Sequence, residues 1–408
     1  MKIYLVGGTV RDDLLGLPAR ERDWVVVGAT PADLVAQGFK PIGKDFPVFL
    51  HPDTHDEYAL ARTERKTAPG YHGFEFHASP EVTLEEDLRR RDLTINAMAR
   101  DENGEIIDPF GGRRDLTNRV LRHVSPAFVE DPVRILRVAR FHARFFELGF
   151  SVADETREFM KNMVDRGEVD ALVPERIWQE TVRAIAENHP EKYFEILRDC
   201  GALSRIFPEL EALFGVPQPE RHHPEIDTGI HTMMVLRQAA RLSDDPTVRF
   251  AALTHDLGKG ETPPETLPGH RGHEKRGVRL VRAMSKRLRI PREYRDLAVR
   301  VAEFHCHCHR ALELKSSTKL KVMEALDAFR NPARFEKFLL ACEADARGRK
   351  GLEEDAYPQA DVFRNAFQAA AAIGAADVGD DDLSGRKLGD QIRKLRIRAI
   401  EEAIARKE

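Results

Sequence analysis

Residues 2–12 read KIYLVGGTVRD and residues 21–27 read ERDWVVV, and these two stretches decide the fold of the N-terminal part of the chain. Residues 2–6 favour a buried strand, and Gly7-Gly8 lets the backbone turn tightly where a phosphate group must approach. The next residues begin a helix, whose first N–H groups attract phosphate oxygens, and Arg11 adds a planar cation. We therefore predict a strand, a phosphate-facing turn and a helix.

Two carboxylates stand at the start of the second stretch. Glu21 and Asp23 are one residue apart, so their side chains project from the same face of a strand that begins there. Magnesium prefers carboxylate oxygens together with substrate phosphates, and a pair of such ions can activate a hydroxyl and stabilise a leaving pyrophosphate. The spacing suits one or two magnesium ions, although a solvated strand end shows the same pattern.

A strongly basic helix is predicted further along the chain. Residues 130–141 read EDPVRILRVARF, in which Arg134, Arg137 and Arg140 largely share one face while apolar residues pack beneath them. Residues 89–91 add three more arginines before an apolar stretch. This concentration of cations favours an anionic ligand.

The order of these motifs resembles that of one family, the class II tRNA nucleotidyltransferases, which comprise the bacterial CCA-adding enzymes and their poly(A) polymerase relatives. Within it the chain is most similar to the proteobacterial group that carries an HD phosphohydrolase domain after the polymerase. The motifs are GGxxRD at 7–12, acidic-x-Asp at 21–23, RRDxxxNA at 90–97, DPFGG at 108–112 and EDxxR at 130–134.

The resemblance implies an α+β chain with a small mixed-sheet, polymerase-β-like nucleotidyltransferase head, then a mostly α-helical neck, an HD domain and a tail. Short apolar runs at 46–50 and 57–62 fit strands of such a sheet. We expect these boundaries: head 1–140, helical neck and nucleotide- or RNA-binding region 141–215, HD phosphohydrolase domain 228–330, and helical C-terminal tail 331–408.

Within the head, the resemblance implies roles for individual residues. Asp131 and Arg134 would read the base edge, because a carboxylate accepts from the exocyclic amino group of cytosine or adenine and a guanidinium donates to a ring acceptor. The protein would thus select C or A without a nucleic-acid template. The catalytic carboxylates that hold Mg²⁺ would be Glu21 and Asp23, and the residues that contact ATP or CTP would include Gly8, Arg11, Arg91, Arg137 and Arg140.

Glu21 departs from the family pattern, which usually has Asp at this position. The extra methylene moves the carboxylate by roughly a bond length, which disturbs the octahedral geometry that magnesium demands unless the backbone compensates. Asp23 therefore carries the metal prediction, and direct ligation by Glu21 is left open.

A second chemistry is indicated downstream, where residues 250–260 read FAALTHDLGKG. Adjacent imidazole and carboxylate groups suit a transition metal better than magnesium, and this run resembles the signature of HD phosphohydrolases. The first candidate ligands are His231, His255 and Asp256. The remaining ligands stay open, because five histidines follow within a short stretch, at 270, 273, 305, 307 and 309. Of the residues that could complete the set, His305 and Asp345 are preferred as the weaker candidates. The resemblance implies Ni²⁺ or another transition metal, with phosphatase, 2′-nucleotidase and 2′,3′-cyclic phosphodiesterase activities.

Cys306 and Cys308 alternate with histidines in residues 305–309. Their spacing is shorter than that of structural zinc sites, and the other two cysteines form no second pair. We therefore expect surface thiols near the HD site rather than a dedicated zinc site.

The composition fits an intracellular enzyme with more than one core. The chain has 408 residues, 42% of them hydrophobic, four scattered cysteines, and no apolar run long enough for a signal peptide or a membrane span. The net charge is only −4, but arginines cluster at 89–91, 113–122 and 134–144, so a positive groove can coexist with an acidic remainder. We expect a cytoplasmic monomer or homodimer without a membrane partner, which binds ATP, CTP and tRNA lacking part or all of its 3′ CCA.

Three functions stay open at this point. The first is template-independent addition and repair of the 3′-terminal CCA of tRNA with release of pyrophosphate, combined with HD phosphohydrolysis. The second is a poly(A) polymerase of the same superfamily, which the HD domain disfavours. The third is an HD phosphohydrolase whose head only binds RNA.

Overall fold

The computed structural model describes residues 1–18, 22–42, 48–66, 74–221, 223–379 and 384–405. The chain forms two compact units, the first made of Met1–Ala184 and Lys192–Ile206 and the second of Ile185–Glu191 and Phe207–Glu408. The predicted fold class is confirmed, since a mixed sheet with helices lies in the first unit and helices make up most of the rest.

Strands occur in the first unit only, as far as the described residues go. In chain order they are β1 (Lys2–Val6), β2 (Asp23–Val27), β3 (Lys40–Pro41), β4 (Val48–Leu50), β5 (Glu57–Leu60), β6 (Arg62–Lys66), β7 (Phe74–Ala78), β8 (Ala99–Arg100), β9 (Ile106–Ile107), β10 (Val120–Leu121) and β11 (Ser151–Val152).

A seven-stranded sheet has the spatial order β3-β4-β5-β2-β1-β8-β9. β1 pairs antiparallel with β2 and β8, whereas β2 pairs in parallel with β5, so the sheet is mixed. The predicted single strand at 57–62 is divided, because β6 leaves this sheet after Leu60 and pairs with β7 instead. β10 and β11 form a separate parallel pair.

Alternation along β2 builds the core on both faces of the sheet. Val25 packs in a cluster with Val6 and Leu88 on one face, and Val26 packs with Leu34 and Leu60 on the other. Each such side chain contributes about 1.5–3 kcal/mol by leaving water. This burial fixes the register of β2 against β1 and therefore the position of Asp23 opposite Val6.

Helices flank the sheet and continue through the first unit. They are α1 (Gly8–Leu14), α2 (Pro31–Ala36), α3 (Leu84–Arg89), α4 (Gly112–Asn118), α5 (Val133–Phe145), α6 (Asp154–Asp165), α7 (Pro174–Ile185), α8 (Glu191–Asp199) and α9 (Ala202–Ile206). The predicted domain boundaries stay predictions, and the one at residue 140 falls within α5.

Helices joined by loops make up most of the described part of the second unit. Its helices are α10 (Pro208–Glu211), α11 (Thr228–Leu242), α12 (Pro246–Thr254), α13 (His273–Arg287), α14 (Arg292–His309), α15 (Ser316–Ala325), α16 (Pro332–Arg347), α17 (Pro358–Ala371) and α18 (Gly385–Ala405). Helices α11, α12, α14 and α16 pack against one another and bring their histidines and aspartates into one region.

Candidate functional site

The turn after β1 requires glycine and gathers two charged side chains. Gly7 has φ +71°, and a Cβ there would lie 2.9 Å from Arg91 Nη1 and 4.0 Å from Asp23 Oδ2. Gly8 then begins α1, as predicted from the sequence. The guanidinium of Arg91 therefore approaches the backbone at Gly7 more closely than any side chain there would allow, with the Asp23 carboxylate nearby.

Only one of the two predicted magnesium carboxylates can be placed. Asp23 is exposed at the first residue of β2. Glu21 lies outside the described residues, so its role stays a prediction. Arg91 ion-pairs with Asp87 at 3.2 Å, and its Nε is buried without a hydrogen-bond partner among the residues that the structure describes. An anion bound beside Arg91 would satisfy this donor.

Arg11 is buried rather than extended into solvent. Its guanidinium donates to Asp12 at 2.8 Å and to the side-chain oxygen of Asn96, and it lies 5.1 Å from the ring centre of Phe141. Asn96 in turn donates to Asp92 at 3.0 Å. The predicted nucleotide contact at Arg11 is thus built into a rigid hydrogen-bonded support.

The three arginines of α5 have different surroundings. Arg134 donates to the carbonyls of Ala127, at 2.7 Å, and Arg90. Arg137 donates to Asp92 at 2.7 Å, and its side chain keeps 34% of its surface exposed. Arg140 is buried, and its guanidinium donates to Glu180. Of the three, Arg137 is therefore the one most accessible to an incoming ligand.

Two carboxylates that sequence reasoning did not select hold this helix in place. Asp92 binds Arg137 and Asn96, and Glu180 on α7 accepts from Arg140 at 2.6 Å. Burial raises the pKa of Asp92, but Arg137 and the hydrogen bonds outweigh that effect and hold the pKa well below its usual value. The signal for Asp92 was its place in the RRD motif, whereas Glu180 had no local signal.

Asp131 also has a partner that the sequence did not reveal. Arg176 on α7 donates to both of its carboxylate oxygens, at 2.7 and 3.1 Å. Oδ1 also accepts from the backbone N–H of Val133 at 3.1 Å, so Oδ2 is the oxygen that retains a lone pair for another donor. The pair fixes the plane of the Asp131 carboxylate beside the start of α5.

The second unit brings four of the predicted metal ligands together. Donor atoms of His231, His255 and Asp256 lie within 4.8 Å of one another, and all three residues are buried. Oδ1 of Asp345 lies 3.1 Å from His231 Nε2 and 3.5 Å from His255 Nε2. These residues come from α11, the end of α12 and α16, so helices that are far apart in the sequence bring the predicted ligands to one site.

The imidazoles are oriented for a metal. His231 Nδ1 lies 3.0 Å from the carbonyl of Gly348, and His255 Nδ1 lies 2.7 Å from the carbonyl of Ala252. Since a carbonyl only accepts, Nδ1 carries the proton and the Nε2 lone pair faces the cluster. The buried Nε2 of His255 has no hydrogen-bond partner among the described residues, so these donors fit a bound cation.

Charge at this cluster favours a cation as well. Burial lowers the pKa of His255, but the carboxylates of Asp256 and Asp345 outweigh it and raise the pKa to about 9. The pKa of Asp345 is held well below its usual value although burial opposes this, because His255 and His309 lie beside it. The carboxylates of Asp256 and Asp345 are therefore stabilised by positive charge close by, which either protonated histidines or a bound metal ion supplies.

Two supporting residues, Lys259 and Tyr357, were missed by sequence reasoning, and a third, His309, was one of the histidines left open as ligands. His309 Nε2 lies 2.6 Å from Oδ2 of Asp345, and the hydroxyl of Tyr357 lies 2.9 Å from Nδ1 of His309. Lys259 lies 2.6 Å from Oδ2 of Asp256. These contacts orient the predicted ligands. His309 and Lys259 stand within the quoted motifs, whereas Tyr357 lies far along the chain.

His305 lies beside both Asp256 and His255, and its ring centre is 5.3 Å from that of His255. Its Nε2 is 3.5 Å from Asp256 Oδ1 and 3.2 Å from Nε2 of His273. Cys306 lies beside them and is partly exposed, but the expected surface position is wrong for Cys308, which has no exposed surface. Cys308 points into the packed interior of the helices because its position on α14 falls on the apolar face.

Family models match three parts of the chain. They are described as Poly A polymerase head domain, at residues 3–122, Probable RNA and SrmB- binding site of polymerase A, at residues 149–214, and HD domain, at residues 228–331. Among the described residues, no helix is both long and apolar enough to cross a bilayer. The expected cytoplasmic location stays a prediction.

Similar proteins cover nearly the whole chain. The Multifunctional CCA protein of Thioalkalivibrio sulfidiphilus is 66% identical over 98% of both chains, and that of Nitrosococcus oceani is 62% identical over 99% of both. A solved CCA-adding enzyme in complex with ATP has a TM-score of 0.68 at 21% identity, covering 100% of this chain and 89% of that one. The Thermotoga maritima CCA-adding enzyme complexed with tRNA has a TM-score of 0.63 at 20% identity, with 100% and 92% covered. These structures share the fold, and the curated relatives show that the chain belongs to the multifunctional CCA protein family.

Proposed function

We propose that the first unit adds and repairs the 3′-terminal CCA of tRNA from CTP and ATP, without a template and with release of pyrophosphate. The observation that carries this proposal is the convergence of Asp23 and Arg91 at the Gly7 turn. The names of the relatives support it, as do the solved CCA-adding enzymes that were obtained with ATP, CTP and tRNA.

The catalytic carboxylates are assigned to Asp23 and Glu21, which would hold Mg²⁺. When bound, magnesium stabilises charge on the transferred phosphoryl group and activates the attacking hydroxyl. Gly8 lets the backbone approach the phosphates, and Arg91 and Arg137 neutralise them. Arg11 and Arg140 are buried, and their hydrogen bonds hold the surrounding side chains of the nucleotide site in place.

Base selection is assigned to Asp131 and Arg134. Held by Arg176, the Asp131 carboxylate accepts from the exocyclic amino group of cytosine or adenine. Arg134 is fixed by two backbone carbonyls and donates to a ring acceptor. Uracil and guanine present the opposite donor and acceptor pattern, so they are excluded without a template strand.

The second unit is proposed to hydrolyse phosphate esters, as a phosphatase, 2′-nucleotidase and 2′,3′-cyclic phosphodiesterase. His231, His255, Asp256 and Asp345 would hold Ni²⁺ or another transition metal, with His305 as the further candidate ligand. When bound, such a metal makes water acidic enough to supply a nucleophile near neutral pH. Lys259 neutralises Asp256 and adds a cation beside the place of a bound phosphate.

The addition reaction is tested with tRNA that lacks its terminal CCA, supplied with CTP, ATP and Mg²⁺. We expect two C residues and one A, and no product from Asp23→Asn. Asp13→Asn is a matched control, because Asp13 pairs with Arg100 on the surface. A long A tail made from ATP alone would indicate the poly(A) polymerase, and absence of any incorporation by the unsubstituted chain would leave only the RNA-binding head.

The hydrolase proposal is tested on 2′,3′-cyclic nucleotides and 2′-nucleotides after the protein is stripped of metal and reloaded with Ni²⁺. We expect activity that depends on added metal and is lost in His255→Ala. Hydrolysis that survives both chelation and this substitution would contradict the assigned centre.

A further inference from the structure

A basic cleft of about 770 Å³ opens in the second unit. Its walls are the last turns of α13, the turn that follows, the first half of α14 and the first turn of α16. Among the described residues, a single acid, Asp296, lines the cleft. The cations that line it are Arg282, Lys286, Arg289, Arg295, Arg300 and Arg334. The lining therefore carries a large surplus of positive charge.

Two of these cations have acidic neighbours. Arg295 pairs with Asp296 at 2.6 Å, and Arg300 pairs with Glu303 at 2.8 Å. All four side chains keep more than a third of their surface exposed, and ion pairs exposed to this degree contribute only about 0–1 kcal/mol. Both arginines can therefore exchange these partners for a stronger anion.

Three other cations of the cleft have no acidic neighbour. Arg282, Lys286 and Arg334 make no ion pair and no side-chain hydrogen bond with any residue that the structure describes. Arg282 and Lys286 are four positions apart on α13, a spacing at which like charges repel. An anion bound in the cleft would relieve that repulsion.

A buried hydroxyl in the same lining gives an independent indication of an anionic ligand. Ser285 lies on α13 between Arg282 and Lys286 and is only 3% exposed. Its Oγ has no hydrogen-bond partner among the described residues. A buried hydroxyl without a partner costs about 1–3 kcal/mol, so such groups are normally satisfied. A phosphate oxygen in the cleft would accept a hydrogen bond from Ser285.

The composition of the lining favours phosphate groups over a nucleobase. Ile290 and Val299 are its apolar members, and among the described residues it includes no aromatic side chain on which a base could stack. Arginine, in contrast, offers paired donors that match phosphate oxygens. Because the cations come from three helices around a volume larger than one phosphate group, the cleft suits several consecutive phosphates.

The cleft is distinct from the cluster of histidines and aspartates in this unit. His273 begins α13 and His305 lies near the end of α14, whereas the cleft lies where α13 ends and α14 begins. At about 1.5 Å per residue, Arg295 and His305 are about 15 Å apart along α14. Substitutions in the cleft therefore leave the proposed metal ligands untouched.

We propose that this cleft binds the sugar-phosphate backbone of RNA, so that the second unit contributes to tRNA binding in addition to its hydrolase centre. The choice of RNA rests on the proposed function, whereas the preference for phosphate rests on the lining alone. Contacts to backbone phosphates supply affinity that depends strongly on salt and carry no sequence information.

The salt dependence of tRNA binding tests this inference. Fluorescence anisotropy measures the binding of the full chain to tRNA lacking its CCA, in EDTA, over a series of salt concentrations. In the double variant Arg282→Gln with Arg334→Gln, the slope of log K against log salt should become shallower by about 2, because each lost phosphate contact removes about 1. Binding at 0.1 M salt should weaken about ten- to a hundredfold.

A matched control removes the same charge elsewhere in the second unit. Arg310→Gln with Arg330→Gln alters two exposed arginines that pair with Glu313 and Asp327 and do not line the cleft, so the slope should not change. Circular dichroism checks that each variant is folded.

Ser285→Ala provides a second variant that removes no charge. It should be at least as stable as the unsubstituted protein, because the hydroxyl has no partner to lose. It should bind tRNA about three- to tenfold more weakly with an unchanged slope.

Unchanged tRNA binding in both cleft variants would overturn the inference, and CCA addition by the unsubstituted protein would then leave the proposed function standing. Calorimetry with inorganic pyrophosphate distinguishes a small anion from RNA. Pyrophosphate binding that disappears in the double variant, combined with an unchanged slope for tRNA, would also overturn the assignment to RNA. An unsubstituted protein that neither binds tRNA nor adds CCA would refute the proposed function together with this inference.

Discussion

The buried ion pair between Arg140 and Glu180 provides a quantitative test of the arginine network. Arg140 Nε donates to Glu180 Oε2 at 2.6 Å, and their side chains keep only 9% and 6% of their surface exposed. Glu180→Gln removes the charge but keeps the shape, so a buried guanidinium loses its counterion. Arg137, 3.7 Å from the same carboxylate, loses part of its support too.

The expected cost follows from the burial of the pair. Removing one partner of a buried ion pair destabilises a protein by about 3–5 kcal/mol. Because glutamine still offers an acceptor oxygen, we expect the lower end, about 3 kcal/mol, which is roughly a hundredfold in the folded-to-unfolded ratio. Glu195→Gln is the matched control: its partner Lys192 lies at 2.8 Å, but Glu195 is 42% exposed, so the loss should be about 0–1 kcal/mol.

Urea unfolding followed by tryptophan fluorescence measures the difference. Trp24 and Trp178 are the two tryptophans of the chain, and both lie in the first unit, so the signal reports that unit. At a slope of about 3 kcal/mol per molar urea, the midpoint of Glu180→Gln should fall by roughly 1 M. The rate of nucleotide addition should fall as well, because Arg137 and Arg140 lose the carboxylate of Glu180 that holds them.

Equal midpoints for Glu180→Gln and Glu195→Gln would refute this reasoning. A second comparison uses Arg140→Met combined with Glu180→Met, which replaces both charges by apolar groups of similar length. Such replacements are often close to neutral, so this double variant should recover most of the lost stability. A double variant as unstable as Glu180→Gln would show that packing, and not the unpaired charge, is responsible.

Three further predictions concern single contacts. Gly7→Ala should lower kcat/KM for nucleotide addition at least tenfold, because the new Cβ would lie 2.9 Å from a guanidinium nitrogen of Arg91. The control is Gly104→Ala, which introduces only backbone strain, since Gly104 has φ +84° and open space around it. Equal losses of kcat/KM in the two variants would assign the effect to strain alone. The stability advantage of the unsubstituted protein over Asp92→Asn should be complete at neutral pH and decline as the pH falls below about 3.9, because the folded pKa of this carboxyl is depressed; an advantage that does not change in urea titrations between pH 7 and pH 3 would contradict it. Tyr357→Phe should weaken Ni²⁺ binding about 10–100-fold in calorimetry, because His309 loses its hydrogen bond at 2.9 Å; unchanged affinity would remove this residue from the support of the centre.

The parts of the fold that the sequence predicted depend on local signals. The apolar run at 2–6, the Gly7-Gly8 turn and the start of α1 follow from neighbouring residues, and the structure places β1 and α1 where the pattern indicates. The division at Leu60 was not predictable, because the run at 57–62 reads as one strand and only the pairing partners separate β5 from β6.

The candidate sites show the same distinction. His255 and Asp256 were found because they are adjacent in a motif, and Asp345 was chosen from the resemblance. Glu180 lies 40 residues from Arg140, and no periodicity connects two side chains that meet only when α5 packs near α7. The grouping of Cys306 with His273 depends likewise on how helices α13 and α14 pack.

The central claim is that one chain carries two separate centres, a nucleotidyltransferase site in the first unit and a phosphohydrolase site in the second. It is tested most directly by assaying both reactions on the same preparations of Asp23→Asn and His255→Ala. We predict reciprocal losses, so that Asp23→Asn hydrolyses 2′,3′-cyclic nucleotides but adds no CCA, and His255→Ala adds CCA but hydrolyses nothing. Loss of both activities in either variant, while it remains folded by circular dichroism, would contradict the account.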